Sequence, residues 1–451
     1  MKKFGKKIIA IGCIFAWCLL IAFGFSVSSS YASPQQLVSL GEPNQDNSGS
    51  LIQQMQQLPE ILPQAERKKT TPKDGEFAKY SFLPKSVEEN IRSGAVTDKA
   101  DQYLLDGHAW ELFALINQQC PNQPGNYNNA LWETWADDPG TFPKSGEPVW
   151  PKDCFEKPDQ TRTKTLRSRS KVERAARLRT SRLERLDVEV DKCDQYGICE
   201  EVRRNKPTFD YIVNNNLWNQ DGLAANFGSG KKIDFPTTSI EIKANWKPIK
   251  EEEKSKYHWN YAKAKEAKDV QLYGLIAMHI ITKEFPNWFW ATWEHVDNLG
   301  RCDYIGCHDS FGVEPHDVQP QTPTNKGYKQ ESFTEDLNTL FSESALADEW
   351  KNYRLKGTQI NFVDSMGNPT LLGNSVVEEG FVQTSSCITC HARATINIDG
   401  KSGLKFPGSK PDNQSYNGVP DPEWFEGLKQ TDLLKLKQTD FVWAIPDAVK
   451  K

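Results

Sequence analysis

Asp269 to Lys283 reads DVQLYGLIAMHIITK and is apolar at almost every position. A half-buried strand alternates polar and apolar residues, and a surface helix leaves a polar stripe. A run that is apolar in both phases is buried on both faces, so this segment is predicted to be a central strand. Beyond Glu284 to Asn287, a stretch containing Pro286, the segment WFWATWEHV (Trp288 to Val296) is dense in aromatic residues. The two segments are predicted to form a hairpin over that turn. SIEIKANW (Ser239 to Trp246) sets Ile240, Ile242 and Ala244 against Glu241, Lys243 and Asn245, the alternation of a strand with one buried face.

Helical spacing appears on either side of this β-rich middle. HAWELFALINQQC places Trp110, Phe113 and Ala114 on one face, with Asn117 a turn further on. Beyond Gln330, FTEDLNTLFSESALADEW and TDLLKLKQTDFV read as helices. The expected fold class is therefore α+β, a β-rich body with a mainly helical C-terminal region. The body is expected over 76–330 and the C-terminal region over 331–451, packed on it. GSGKK (Gly228 to Lys232) lacks phosphate-loop spacing and reads as a turn.

Hydrophobic residues make up 37% of the 451, and the mean hydropathy is −0.65. The 14 Trp, 13 Tyr and 22 Phe nevertheless supply large side chains for a core. A net charge of −5 gives no basis for a nucleic-acid partner. Lys2, Lys3, Lys6 and Lys7 precede an apolar run from Ile8 to Phe25, followed by Ser30-Tyr31-Ala32. This is the layout of an export signal cleaved after Ala32; the alternative is an uncleaved anchor. The expected location is periplasmic or otherwise extracytoplasmic, with no membrane attachment after cleavage. Residues 33–75, rich in Gln, Pro and Ser, read as a flexible lead-in. Residues 161–186 hold ten Lys or Arg and two acids. They read as a solvated helix or loose insertion, with a docking patch for an acidic partner or membrane surface as the alternative.

Without Cys13 and Cys18, eight cysteines are left in the mature chain. In an oxidising compartment, proximity suggests the pairs 120–154, 193–199 and 302–307. Cys387 and Cys390 belong to SSCITCHARA, which contains Cys-x-x-Cys-His. Two thiols three positions apart can each form a thioether to a haem vinyl group, and the adjoining His391 then comes under the iron. A zinc site needs four ligands, and a redox dithiol sits on a βαβ unit that is not visible here. One covalent haem c is therefore expected, on Cys387, Cys390 and His391. Cys302, Cys307 and His308 form a wider version of the motif; a disulfide loop is the simpler reading, and a second haem the alternative.

No Met or His follows His391, so any sixth iron ligand comes from upstream. The candidates are Met278, His279, His295, Met366 and, further down the order, His108, His258 and His316. His279 is preferred, because a polar ring within an apolar run needs a partner. Met278 would lie on the opposite face of the same strand. For each candidate the competing reading is a core methionine or a histidine bonded to a carbonyl.

Several blocks, among them HAWELFALIN, LWETW, FPTTSIEIKANW, GLIAMHIITK, WFWATWEHVDN, SSCITCHARA and TDFVWAIP, resemble a family of exported bacterial cytochrome c proteins with a single Cys-x-x-Cys-His. The resemblance runs from about His108 to Pro446 and implies one integrated unit. It carries a role over to Cys387, Cys390 and His391 alone; it also favours His279 and His295 over Met366, and it names no reaction. The leading expectation is single-electron transfer with a redox donor or acceptor of unknown identity. The alternatives are a haem enzyme of peroxidase or oxidase type with an open iron position, and a haem-based gas or redox sensor.

Overall fold

In the computed structural model the described residues are 99–120, 128–151, 164–168, 197–264, 270–324, 326–344, 346–404, 417–420, 436–446 and 448. The predicted leader and lead-in lie outside them, as does the basic stretch apart from 164–168.

Helix α1 (Lys99–Ile116) opens the described chain. Strands β1 (Ala136–Asp137), β2 (Lys164–Ser168), β3 (Cys199–Arg204), β4 (Ile240–Pro248), β5 (Trp259–Ala264), β6 (Gln271–Thr282) and β7 (Phe289–His295) follow. Between β3 and β4 lie helices α2 (Lys206–Asn214) and α3 (Gln220–Ser229), started by the side chains of Asn205 and Asn219. These seven strands and β12 (Tyr353–Gln359) make one eight-stranded sheet. Before β12 come four two-residue strands, β8 (Cys307–His308), β9 (Val313–Glu314), β10 (Asp317–Val318) and β11 (Ser332–Phe333), and helix α4 (Glu335–Ser344).

The predicted hairpin is present. β6 pairs antiparallel with β7 from Ala277↔Glu294 to Thr282↔Phe289, and β6 is buried from Leu272 to Thr282. β4 lies antiparallel along the other edge of β6, with Lys243 opposite His279. The pairs β2–β3, β3–β4, β4–β6, β6–β5 and β5–β2 close a ring of five strands. Residues 164–168 of the basic stretch are thus a strand of the sheet rather than a loose insertion or solvated helix. A closed ring removes two edges that would otherwise expose unpaired backbone groups.

The pleat sends alternate side chains to opposite faces. Met278, Ile280, Ala291 and Trp293 join α1 in one core, where Phe113 stacks on Trp293 at 5.1 Å between ring centres. Ile281 and Trp290 point the other way, into a second cluster with Leu372, Cys387, Ile388, Phe441 and Val442. Helix α5 (Cys387–Ala392) belongs to that second side. The remaining strands are β13 (Thr395–Ile396) and β14 (Lys437–Gln438), paired antiparallel. Of the stretch TDLLKLKQTDFV, expected to be helical, Lys437–Gln438 is thus strand, and residues 431–435 lie outside the described set. Pairing with β13 takes the backbone bonds that a helix would have needed.

Among the described residues no helix is long and apolar enough to cross a membrane. Cys302 and Cys307 form the expected disulfide. Cys120 and Cys199 are also disulfide-bonded, but Cys154 and Cys193 fall outside the described residues.

Candidate functional site

Cys387 to His391 form most of the short helix α5, which is too short to stand without outside support. Ser386 caps it, accepting from Thr389 N. Gln359, at the end of β12, does more. Its Oε1 accepts from Ile388 N at 3.0 Å, while its Nε2 donates to Ser386 Oγ at 2.9 Å and to Thr370 Oγ1 at 2.7 Å. Thr389 Oγ1 donates to the Gly418 carbonyl at 2.7 Å. The sheet therefore grips the first turn of α5 through a side-chain amide that satisfies an otherwise orphaned helix N–H.

Both sulfurs are buried and neither is in a disulfide. Cys387 Sγ lies 3.4 Å from the Leu372 carbonyl. Burial, with Glu378 nearby, raises both thiols, Cys390 to about 12. They are held as neutral S–H groups, inert until deprotonated.

His391 Nδ1 is 2.8 Å from the carbonyl of Phe441, which can only accept, so Nδ1 carries the proton. That fixes the tautomer and makes Nε2 the lone-pair nitrogen. Trp290 of β7 packs on the ring at 4.6 Å between centres, and Trp443 Nε1 donates to the Cys390 carbonyl at 3.2 Å. The segment that supplies these contacts turns through positive φ at Asp440 (50°) and Phe441 (68°). Asp440 is pinned there by Lys283 Nζ at 2.7 Å and Phe235 N at 2.8 Å.

His279 lies on the same side of the sheet as α5. It is buried on β6, and its Nε2 has no hydrogen-bond partner; the nearest carboxylate oxygen, Oε1 of Glu378, is 3.7 Å away. Burial holds its pKa well below the usual imidazole range, and the charges of Lys243, His391 and Lys356 push the same way. Glu378 in turn acts on both thiols. His279, Glu378, Cys387, Cys390 and His391 thus share one electrostatic environment. A buried nitrogen without a hydrogen bond costs on the order of 1–3 kcal/mol, an arrangement expected where a ligand completes the site.

The other candidates are occupied elsewhere. Met278 faces the α1 side, with its sulfur 3.9 Å from Asn117 Nδ2. His295 accepts at Nδ1 from Asp297 N, and its Nε2 donates to the Lys256 carbonyl at 2.9 Å. His108 meets Glu284 at 2.7 Å, His258 pairs with Glu133, and His316 Nδ1 donates to the Val313 carbonyl. Met366 is 84% exposed. His308 pairs with Asp317.

Sequence reasoning did not single out Gln359, Glu378, Asp440 or Phe441 as site residues. TDFVWAIP held a readable hint, since an aromatic cluster close behind an Asp is an unusual surface loop. Nothing in the sequence marks the other two. Among the described residues no three His, Cys, Asp or Glu side chains group as a metal-ion site. Compared with family models, with curated proteins and with solved structures, the chain matches none.

Proposed function

We propose that this chain is an exported c-type cytochrome with one covalent haem that carries single electrons. Cys387 and Cys390 would hold the macrocycle by thioethers, with His391 and His279 as the iron's protein ligands. In this reading, 331–451 with its helices is the haem-binding region, and the compartment is periplasmic or equivalent. The proposed partner is a redox donor or acceptor, protein or small molecule; nucleic acid and membrane are not among the proposed partners.

The residues present fit the group. The observation that carries the reading is His391: its Nδ1–H is spent on Phe441 O, which orients the ring and leaves Nε2 as the basic nitrogen. The buried, unbonded Nε2 of His279 is a second nitrogen donor in the same environment. Two unpaired thiols lie one helical turn apart between apolar side chains. When bound, haem iron supplies a one-electron Fe(III)/Fe(II) couple. The chain's own residues do the rest. Trp290, Ile281, Leu372, Ile388 and Phe441 exclude water, which favours the less charged form and raises the potential.

Glu378, 3.7 Å from His279 Nε2, favours one alternative. A carboxylate beside an imidazole is the composition of an acid–base pair, so a haem enzyme with an open iron position is the second reading. Absorption spectra of the oxidised and dithionite-reduced protein separate the two. A low-spin spectrum indifferent to carbon monoxide is expected for electron transfer. A high-spin spectrum that shifts with carbon monoxide or peroxide overturns that reading in favour of the enzyme.

A further inference from the structure

The Cys302–Cys307 bridge joins two residues five positions apart and closes the loop that leads into β8. Tyr304 and Gly306 turn this loop through positive φ, 66° and 75°, and the Tyr304 side chain is exposed, so the loop lies at the surface. The two sulfurs are not equivalent. Cys302 is fully buried, whereas Cys307 keeps 9% of its surface accessible.

The residue before the bridge is a buried arginine whose side chain folds back onto both sulfurs. Arg301 Nη1 lies 3.2 Å from Cys302 Sγ and 3.7 Å from Cys307 Sγ. Arg301 Nη2 pairs with Glu331, and the same carboxylate faces Arg354 Nε at 3.6 Å. All three of these side chains are buried. One carboxylate thus answers two guanidinium ions. Asp303, next in the chain to Cys302, accepts from Tyr328 Oη and from Thr324 N at 3.3 Å. A disulfide sulfur is only a weak acceptor for the guanidinium, but a thiolate at the same place is a strong one. An adjacent arginine lowers a thiol's pKa, and a stabilised reduced form makes a disulfide more oxidising.

We propose that Cys302 and Cys307 are a redox-active pair that exchanges with an external dithiol, Arg301 holding the Cys302 thiolate. The attacking thiolate forms a bond to Cys307 Sγ, the accessible sulfur. The Cys302–Cys307 bond breaks, and its electron pair passes to Cys302 Sγ beside Arg301 Nη1. The second thiol of the dithiol then displaces Cys307 Sγ, so the dithiol leaves as a disulfide, oxidised by two electrons. Of its two protons one goes to Cys307 and one to solvent. The leaving sulfur with the more stabilised thiolate leaves faster, which sets Cys307 as the sulfur attacked. Neither cysteine belongs to the Cys-x-x-Cys-His segment, so this exchange does not depend on haem.

The test equilibrates the full-length mature protein, without denaturant, in glutathione buffers of graded reduced-to-oxidised ratio. After an acid quench and alkylation, mass spectrometry of the peptide carrying Cys302 and Cys307 reads the reduced fraction. Reduction in the native state is expected, with the mixed disulfide trapped on Cys307. Arg301→Gln is expected to lower the equilibrium constant for reduction at least about tenfold, or roughly 30 mV. Glu331→Gln, which removes the counter-charge, is expected to shift it the opposite way. If neither variant folds, the parent titration decides. A bridge that glutathione reduces only when the chain is unfolded, an adduct on Cys302, or an Arg301→Gln titration that superimposes on the parent's overturns the proposal.

Discussion

His391 donates its Nδ1 proton to the carbonyl of Phe441, fifty residues further on, across 2.8 Å. That carbonyl is aimed by a left-handed backbone at Asp440 and Phe441, a conformation that side-chain-bearing residues adopt only when their surroundings impose it. The imposing contact is the buried pair of Asp440 with Lys283, 4% and 6% exposed at their side chains.

Asp440→Ala leaves Lys283 with the half-exposed Asp234 at 3.2 Å as its carboxylate partner and releases the corner. Removing one member of a buried pair costs roughly 3–5 kcal/mol. We expect the urea midpoint to fall accordingly at unchanged slope. An unchanged midpoint contradicts the role given to this corner.

His279→Ala removes the second nitrogen donor from the proposed site. The low-spin spectrum is expected to become high-spin and to respond to carbon monoxide, while the haem stays covalently attached. A low-spin spectrum identical to that of the parent protein removes His279 as a ligand.

The segments that were legible in the sequence have one period and one environment. β6 and β7 were visible because both phases of the run are apolar, and the Cys302–Cys307 bridge because only four residues separate the thiols. β12 was not, for a physical reason. YRLKGTQ carries Arg354, Lys356 and Gln359, yet it is a buried strand. Its charges are compensated by Glu331 and Glu294, residues distant in sequence. The strand β3, with Arg203 and Arg204 buried against Glu201, Asp138 and Glu241, is hidden in the same way. The Cys-x-x-Cys-His segment was legible by spacing, but its support was not. A backbone carbonyl such as that of Phe441, or an amide such as that of Gln359, leaves no local pattern.

His295 sets a pH dependence. Burial lowers its pKa from 6.5 to about 4 in the folded chain, against the partly opposing Lys256 carbonyl and Asp297. A depressed histidine is neutral in the folded state while the unfolded chain takes up a proton. Its contribution is therefore present above pH 6.5 and is lost as the pH falls towards 4, by about 3 kcal/mol. His295→Gln is expected to flatten stability against pH in that window, as measured by urea unfolding at a series of pH values. An undiminished slope contradicts the assignment.

Cys302→Ala with Cys307→Ala removes a short disulfide loop. The chain-entropy cost of so small a loop is about 2 kcal/mol, so the thermal midpoint should fall while the haem-to-chain ratio stays at one. A reduced ratio would show that these cysteines hold haem instead.

The central claim is tested most directly by haem content after denaturation. The mature protein is unfolded in acid acetone or detergent, and the pyridine haemochrome of the extracted chain is measured against protein concentration. We predict one haem per chain retained with the polypeptide, and none in the Cys387→Ala, Cys390→Ala variant. A chain that retains no haem, or a double variant that keeps it, contradicts the assignment of Cys387, Cys390 and His391.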